Sequence, residues 1–293
     1  MAQAFRHPDK WRETIDPFTL PFHTFTLMEV LGYPHAGNDV FHVRGVHEGQ
    51  EITAYLKVAR QKGAAIDNEV ALLRQIDHPA VPRILDADFG AHPFSVTTDM
   101  PGLRLSVILG ENADNASLRY MEAYGEALAW IHSLRVEAQP VADRRFFHAP
   151  GDDMLDALGL PWLKGYFSGP PEEPVTVFCH GDFHYANILW EDHRVSAMLD
   201  FELAGLGNRD FDIAWALIRR PGQRFLKTEA ERERFLSGYA RGGQCCLQNV
   251  IYYMAQIYVY WLKSCRDDEE YSGYMRQWLE KHCRSSMTGR NRS

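Results

Sequence analysis

The sequence predicts an α+β chain of two lobes: a small antiparallel-sheet N-terminal lobe with one main helix, then a larger, mostly helical C-terminal lobe. Three observations predict it. β-rich runs fill the first hundred residues, apolar positions at helical spacing dominate beyond Ser117, and Asp99-Met100-Pro101-Gly102 marks a natural break between the two regimes. The expected parts are therefore residues 1–98, a hinge over 99–102, a helical lobe over 103–284, and a frayed polar tail over 285–293.

The strands come first. Phe25 to Leu31, Asp39 to Val46 and Glu51 to Ala59 are rich in β-branched and aromatic residues, and His47-Glu48-Gly49-Gln50 supplies a turn between the last two. Ile66, Val70, Leu73 and Ile76 form one stripe of a helix expected over Ala64 to Ile76. His78-Pro79 ends it, because the residue before proline is pushed out of the α region. Val81 to Ala87 and Phe94 to Thr98 are two further extended pieces. Beyond the break, Leu118, Met121, Tyr124, Leu128, Ile131 and Leu134 define a helix over Ser117 to Leu134 with Ser117 as a candidate N-cap. Arg144 to Pro174 reads as irregular. Short strands at Val175–Cys179, Ile188–Trp190 and Val195–Leu199 follow, and helices dominate afterwards, notably Leu247 to Cys265 and Tyr274 to Cys283.

Composition excludes several classes. The chain of 293 residues is 45% apolar and 24% charged, which is globular and neither disordered nor collagen-like. Its net charge of -8 argues against nucleic acid as a main partner. Residues 101–218 alone hold 8 basic and 18 acidic side chains, so a cationic substrate or a metal ion is one reading and a solvated acidic surface the other. The five cysteines (Cys179, Cys245, Cys246, Cys265 and Cys283) show no C-x-x-C spacing and indicate neither a disulfide framework nor structural zinc. Met1 to Lys10 lacks a signal-peptide pattern. The uncharged run 242–262 is broken by Gln244, Gln248, Asn249, Gln256 and four tyrosines, so a core helix is expected there rather than a membrane span. The expected location is cytoplasmic.

The chemistry concentrates between His180 and Trp215. Ile188-Leu189-Trp190 and Ala197-Met198-Leu199, joined through Glu191-Asp192-His193-Arg194, fold naturally as a hairpin. A symmetric register would place Trp190 opposite Ala197 and Asn187 opposite Asp200. An amide oxygen and a carboxylate then converge, a donor set suited to Mg²⁺. Asp182 precedes Asn187 by five positions on the loop entering the hairpin. Asp182-x-x-x-x-Asn187 followed by Asp200-Phe201-Glu202 matches the phosphoryl-transfer arrangement of a base, an asparagine and a metal-binding aspartate. On the strand Glu51–Ala59, Lys57 lies on the face opposite Ile52, Ala54, Leu56 and Val58, and Glu69 sits at the edge of the helix's buried stripe. The two are a candidate pair whose ammonium reaches nucleotide phosphates, against the plain alternative of a surface lysine and a solvated glutamate. Gly32 to Asn38 could cover phosphates, and no Walker-type loop is present. His180 and His184 also permit a zinc reading, but no third ligand is evident.

The run His180-Gly181-Asp182-Phe183-His184-x-x-Asn187-Ile188-Leu189, then Asp200-Phe201-Glu202-x-Ala204, then Asp212-Ile213-Ala214, resembles the aminoglycoside phosphotransferase family. That superfamily includes choline, fructosamine and homoserine kinases and has a protein-kinase-like fold. Ala36-Gly37-Asn38-x-Val40-Phe41-x-Val43 is similar to the family's nucleotide loop, and Leu128-Ala129-Trp130-Ile131-His132 to its L-A-x-L-H helix. The resemblance implies that Asp182 orients or deprotonates a substrate hydroxyl, that Asn187 and Asp200 hold Mg²⁺, and that Lys57 and Glu69 position ATP. It further implies that Asp212 braces the catalytic loop and that Thr97 to Met100 (Asp99 included) offer main-chain groups to the adenine; against the zinc reading, His180 is expected to pack beneath the loop. Glu202 is either a metal-facing carboxylate or solvated.

The expected function is ATP- or GTP-driven, Mg²⁺-dependent phosphorylation of a hydroxyl on a small polar molecule, aminoglycoside-, sugar- or amino-alcohol-like, by a monomer or homodimer. Gly181 stands where protein kinases carry arginine, and 11 residues separate Asp200 from Asp212, too few for a peptide-docking segment. A nucleotide-sensing pseudokinase and a protein kinase are the alternatives. The acidic run Asp267-Asp268-Glu269-Glu270 could attract amines. Tyr252, Tyr253, Tyr258, Tyr260 and Trp261 form either an aromatic cage or plain core.

Overall fold

The structure is a computed structural model describing residues 14–34, 37–60, 63–110, 116–169, 171–223, 225–265 and 267–290, with side chains up to 284. Ala36 of the expected nucleotide loop, the first ten residues and residues 291–293 lie outside the described residues. In chain order the elements are β1 (Phe25–Gly32), β2 (Asp39–His47), β3 (Gln50–Val58), α1 (Ile66–Leu73), β4 (Ile84–Asp88), β5 (Phe94–Thr98), β6 (Leu103–Arg104), α2 (Leu105–Leu109) and α3 (Leu118–Ser133). They continue with α4 (Asp152–Ala157), α5 (Lys164–Phe167), β7 (Thr176–Cys179), β8 (Ile188–Glu191), β9 (Arg194–Met198), β10 (Gly205–Asn208), α6 (Arg209–Leu217), α7 (Glu229–Tyr239), α8 (Leu247–Ser264) and α9 (Glu269–Arg290). Two compact units result: Met1–Arg104 with Asn187–Ala204, and Leu105–Ala186 with Gly205–Ser293.

The first unit is built on a five-stranded antiparallel sheet in the order β1-β2-β3-β5-β4. The β2–β3 hairpin turns at Glu48 (φ 50°) and Gly49 (φ 78°), the left-handed pair a two-residue hairpin needs. Alternation on β3 buries Ala54, Leu56 and Val58 against Val43, Phe94 and Val96, and leaves Lys57 on the other face. Gly45 has no side chain because the Phe25 ring occupies that space. The buried Asp86 carboxylate accepts N–H groups from His23, Thr24 and Phe25 at 2.8, 2.9 and 3.0 Å, fastening the entry of β1 to β4. Ile66, Val70 and Leu73 of α1 are buried, as their stripe implied. The α-helix itself stops at Leu73, and Gln75 and Ile76 close it with tighter bonds to Leu72 and Leu73.

Asn187–Ala204 belongs to this same unit, because β8 pairs with both β6 and β9. The hairpin register differs from the symmetric one. Asp192 (φ 45°) and His193 (φ 63°) form a two-residue left-handed turn that pairs Glu191 with Arg194 and Trp190 with Val195. A bulge after Leu189 then sets Leu189 opposite Ala197. Asn187 consequently lies across from Leu199, whose N–H it accepts at 2.8 Å, rather than across from Asp200.

The second unit is mainly helical, with β7 and β10 as a two-stranded pair. Helices α3 and α7 approach backbone to backbone. A methyl group on Gly125 would collide with the Phe235 carbonyl, and one on Gly238 with the Glu122 carbonyl. Ser117 does not cap α3 with its side chain: its hydroxyl donates instead to the Glu231 carboxylate at 2.5 Å. The glycine-rich β10 carries no strand pattern and forms because β7 offers it a partner, Gly205 pairing with Cys179 and Asn208 with Thr176. Tyr252, Tyr253, Tyr258 and Tyr260 on α8 are buried core residues. Asp268 accepts the Tyr271 N–H, and Glu270 pairs with Arg219, so part of the acidic run starts α9. That helix continues to Arg290, where a frayed tail was expected from Ser285. Among the described residues, no helix is long and apolar enough to cross a membrane, and the cysteines are free thiols.

Candidate functional site

Lys57, Glu69, Asp200 and Glu202 form one polar cluster in the first unit. The Lys57 ammonium donates to Glu69 Oε2 and to Asp200 Oδ1, both at 2.8 Å, and lies 3.5 Å from Glu202 Oε2. Burial alone would favour loss of the lysine proton. The charges of Glu69 and Asp200 outweigh it and hold the pKa well above the ordinary lysine value. The other Glu69 oxygen accepts the Phe201 N–H at 3.0 Å, so one buried carboxylate ties strand β3 to the segment carrying Asp200. Asp200 adopts left-handed backbone angles (φ 66°, ψ 66°), costly for a non-glycine residue, and its carboxylate remains 43% exposed. Asn187 is half-buried and fixed by its main-chain bond to Leu199, one residue before Asp200.

Glu202 is largely withdrawn from solvent, 16% exposed, and engaged within the first unit. It accepts from Asn38 Nδ2 at 2.8 Å and from the Ala65 N–H at 3.0 Å, linking the start of β2 to the entry of α1. The buried Asn38 follows Gly37 (φ 90°), and Val40 pairs directly with Lys57 across β2–β3. Thr97 pairs with Tyr55 inside the sheet. Asp99 meets His42 Nε2 at 2.9 Å, and among the described residues the main-chain groups of Asp99 and Met100 form no hydrogen bond.

Asp182 and Asp212 belong to the second unit. Asp182 Oδ1 accepts the Trp215 indole N–H at 2.8 Å, and Oδ2 lies 3.5 Å from His184 Nε2. Burial pushes this carboxyl up, but His184, Arg220 and the Trp215 bond together hold it below the ordinary aspartate value, so it is ionised at neutral pH. The loop beneath it hangs on Asp212, 3% exposed, which accepts the N–H groups of His180 and Gly181 at 3.0 and 3.1 Å. His132 Nε2 lies 3.1 Å from Asp212 Oδ2, while its Nδ1 meets the Tyr239 hydroxyl at 2.8 Å. Arg144 secures the loop from the other side by donating to the Gly181 carbonyl at 2.7 Å. Gly181 takes a φ of 76°, open to glycine at little cost.

His180 is fully buried with Nδ1 accepting the Asp182 N–H at 3.4 Å, and His184 accepts the Ala186 N–H, so the two imidazoles serve the loop separately and not as a zinc pair. His132, Cys179 and Asp212 are close enough to share an ion, yet burial pushes the Cys179 thiol up and His132 and Asp212 already bond each other. Trp215, Arg144, Arg220 and Asn68 escaped the sequence reading. Asn68 holds the Glu202 and Ala204 carbonyls at 3.1 and 3.0 Å, and its place beside Glu69 was the available signal. A surface cavity of about 500 Å³ is lined by Leu158, Leu262, Ser272, Arg276 and Glu269, the last from the acidic run, and by none of the expected nucleotide, metal or catalytic residues.

Three comparisons bear on this geometry. The model of the phosphotransferase enzyme family matches residues 31–249. An aminoglycoside 3'-phosphotransferase from Niallia circulans is 24% identical over 225 residues, 65% of this chain and 80% of that protein. An N-acetylmuramate/N-acetylglucosamine kinase from Caulobacter vibrioides is 33% identical over 131 residues, 39% of this chain and 34% of that protein. Among solved structures, the amicoumacin kinase hAmiN in complex with AMP-PNP, Ca²⁺ and Ami superposes with a TM-score of 0.52 at 15% identity, covering 88% of each chain. The likeness is one of fold, and it agrees with the protein-kinase-like architecture expected from the sequence.

Proposed function

The chain belongs to the phosphotransferase enzyme family, and from that premise we propose that it transfers the γ-phosphoryl group of ATP, with Mg²⁺, to a hydroxyl of a small polar molecule. The observation that carries this reading is the Lys57 ammonium held at 2.8 Å between Glu69 and the half-exposed Asp200, a fixed positive charge beside a carboxylate that keeps one oxygen free of it. Asp200 and Asn187 are hard oxygen donors of the type Mg²⁺ accepts, and two protein ligands suffice for an ion that fills its remaining positions with phosphate and water. Lys57 would reach the α- and β-phosphates, Gly37, Asn38 and Val40 would cover them, and the unbonded main chain at Asp99 and Met100, with Thr97, would serve the adenine. When bound, the metal–nucleotide complex supplies the transferable phosphoryl group and neutralises its charge.

Asp182 is the proposed proton acceptor. Its Oδ1 accepts the Trp215 indole N–H, and Oδ2, beside His184, would orient the acceptor hydroxyl and take its proton. Asp212, His132 and Arg144 keep the Gly181 turn in the conformation that presents it. The residues between Asp200 and Asp212 form a short 3₁₀ turn at Phe201–Leu203 and strand β10, which leaves no peptide-docking segment and favours a small acceptor. The test is acceptor-dependent ADP release across a panel of hydroxylated metabolites and antibiotics, with Asp182→Asn as the blank. Turnover with at least one acceptor, falling roughly 10²- to 10⁴-fold in the variant, is expected. Nucleotide binding without any phosphorylated product would replace the reading with a nucleotide sensor.

A further inference from the structure

Arg220 lies three residues beyond α6 in the second unit and has no ion-pair partner among the described residues. Its guanidinium is stacked on Trp215 (4.9 Å from the ring centroid) and Trp261 (5.9 Å). Among the described residues it forms no ion pair, and its Nη2 is sealed from solvent with no hydrogen-bond acceptor. Such a group is costly, since an unpaired charge in a poorly hydrated setting loses its water without compensation. Burial accordingly pulls its pKa below the ordinary arginine value, and neighbouring Tyr124 and Asp182 offset this only in part. The nearby Arg144 donates to the Gly181 carbonyl through one Nη, although its Nε likewise has no acceptor, and Asp182 is engaged by Trp215 and His184. Arg220 therefore stands as an uncommitted cation on the same tryptophan that holds the proposed proton acceptor.

From this arrangement we infer that the acceptor is a hydroxylated carboxylate, its anionic group paired with Arg220 while its hydroxyl faces Asp182. The inference rests on the phosphotransferase reading of Asp182 and narrows its substrate class. A carboxylate is the counter-charge a guanidinium pairs with most strongly, through charge-assisted hydrogen bonds. The acidic surplus of residues 101–218 had suggested a cationic substrate. Several of those acids (Asp143, Asp152, Asp153 and Glu173) are exposed, whereas the groups that bear on Asp182 include His184, Arg220 and Arg144.

The test uses matched probes differing only in the carboxylate: glucuronate against glucose, glycerate against glycerol, and N-acetylmuramate against N-acetylglucosamine. Binding is read from tryptophan fluorescence, which Trp215 and Trp261 report without turnover, and phosphorylation from ADP release. The expected result is saturable quenching by the carboxylate member of at least one pair and not by its neutral counterpart. In Arg220→Met that preference should fall roughly 10- to 100-fold, as a KM effect, with the KM for ATP unchanged. Arg220→Lys, keeping charge without the planar fork, should recover part of the loss; a merely structural role would not show that order. No quenching by any carboxylate, preference for neutral members, or an unaltered preference in a folded Arg220→Met protein would overturn the inference. Carboxylate binding without ADP release would leave the anion site standing and refute the phosphotransferase reading instead.

Discussion

Replacing Asp212 with alanine removes the acceptor on which the catalytic loop is hung. Three donors lose their partner: the N–H groups of His180 and Gly181, at 3.0 and 3.1 Å, and His132 Nε2, at 3.1 Å. With Asp212 only 3% exposed, water cannot replace the carboxylate without opening the structure. An orphaned buried donor costs about 1–3 kcal/mol, and removing the charged member of a buried pair about 3–5 kcal/mol in total, so Asp212→Ala should lose about 3–5 kcal/mol. For a unit of this size each kcal/mol lowers Tm by roughly 2–4 °C, giving a drop of roughly 6–20 °C. Asp212→Asn keeps one oxygen and should lose about half as much. Thermal melts followed by circular dichroism, with nucleotide affinity measured on the folded proteins, decide the matter. Both variants should turn over slowly while still binding nucleotide, because Lys57, Glu69 and Asp200 lie in the other unit. An Asp212→Ala melt within about 2 °C of wild type, or full turnover in it, would refute the bracing role.

Other outcomes follow from the same contacts. Lys57→Met strips Glu69 and Asp200 of their shared cation and should cost about 2–3 kcal/mol, below the fully buried value because Asp200 is part-exposed; an unchanged denaturation midpoint would contradict the pairing. In that variant burial raises Glu69 unopposed, so stability should be greatest at low pH and decline as pH rises through the raised pKa, the reverse of an exposed carboxylate. Trp215→Phe removes a hydrogen bond that holds the Asp182 pKa down. Activity needs the ionised form and falls as pH drops through that pKa, so the acid limb of kcat/KM should move to higher pH. A limb that stays in place would detach Trp215 from Asp182.

The sheet and long helices were legible because burial imposes periods of 2 and 3.6 directly on the sequence, as Ala54-Leu56-Val58 and Met121, Tyr124, Leu128 and Ile131 show. The Lys57–Glu69 pair was legible too, since a lysine inside a strand demands a nearby anion. Register was not: the Asp192-His193 turn and the bulge after Leu189 depend on backbone angles that side-chain pattern does not encode, and they moved Asn187 by one position. Glu202 illustrates a second limit. Its partners, Asn38 and Ala65, are more than a hundred residues away, so only the folded chain shows it as a tie between loops. Trp215 and Arg220 were hidden for the same reason, because their role depends on a carboxylate 33 residues distant in one case and on the lack of one among the described residues in the other.

The account is tested most directly by single-turnover transfer of a radiolabelled γ-phosphate in Asp182→Asn, with ATP affinity measured on the same sample. Undiminished ATP affinity with transfer slowed roughly 10²- to 10⁴-fold is the predicted result. Transfer at the wild-type rate, with nucleotide bound equally well, would contradict it.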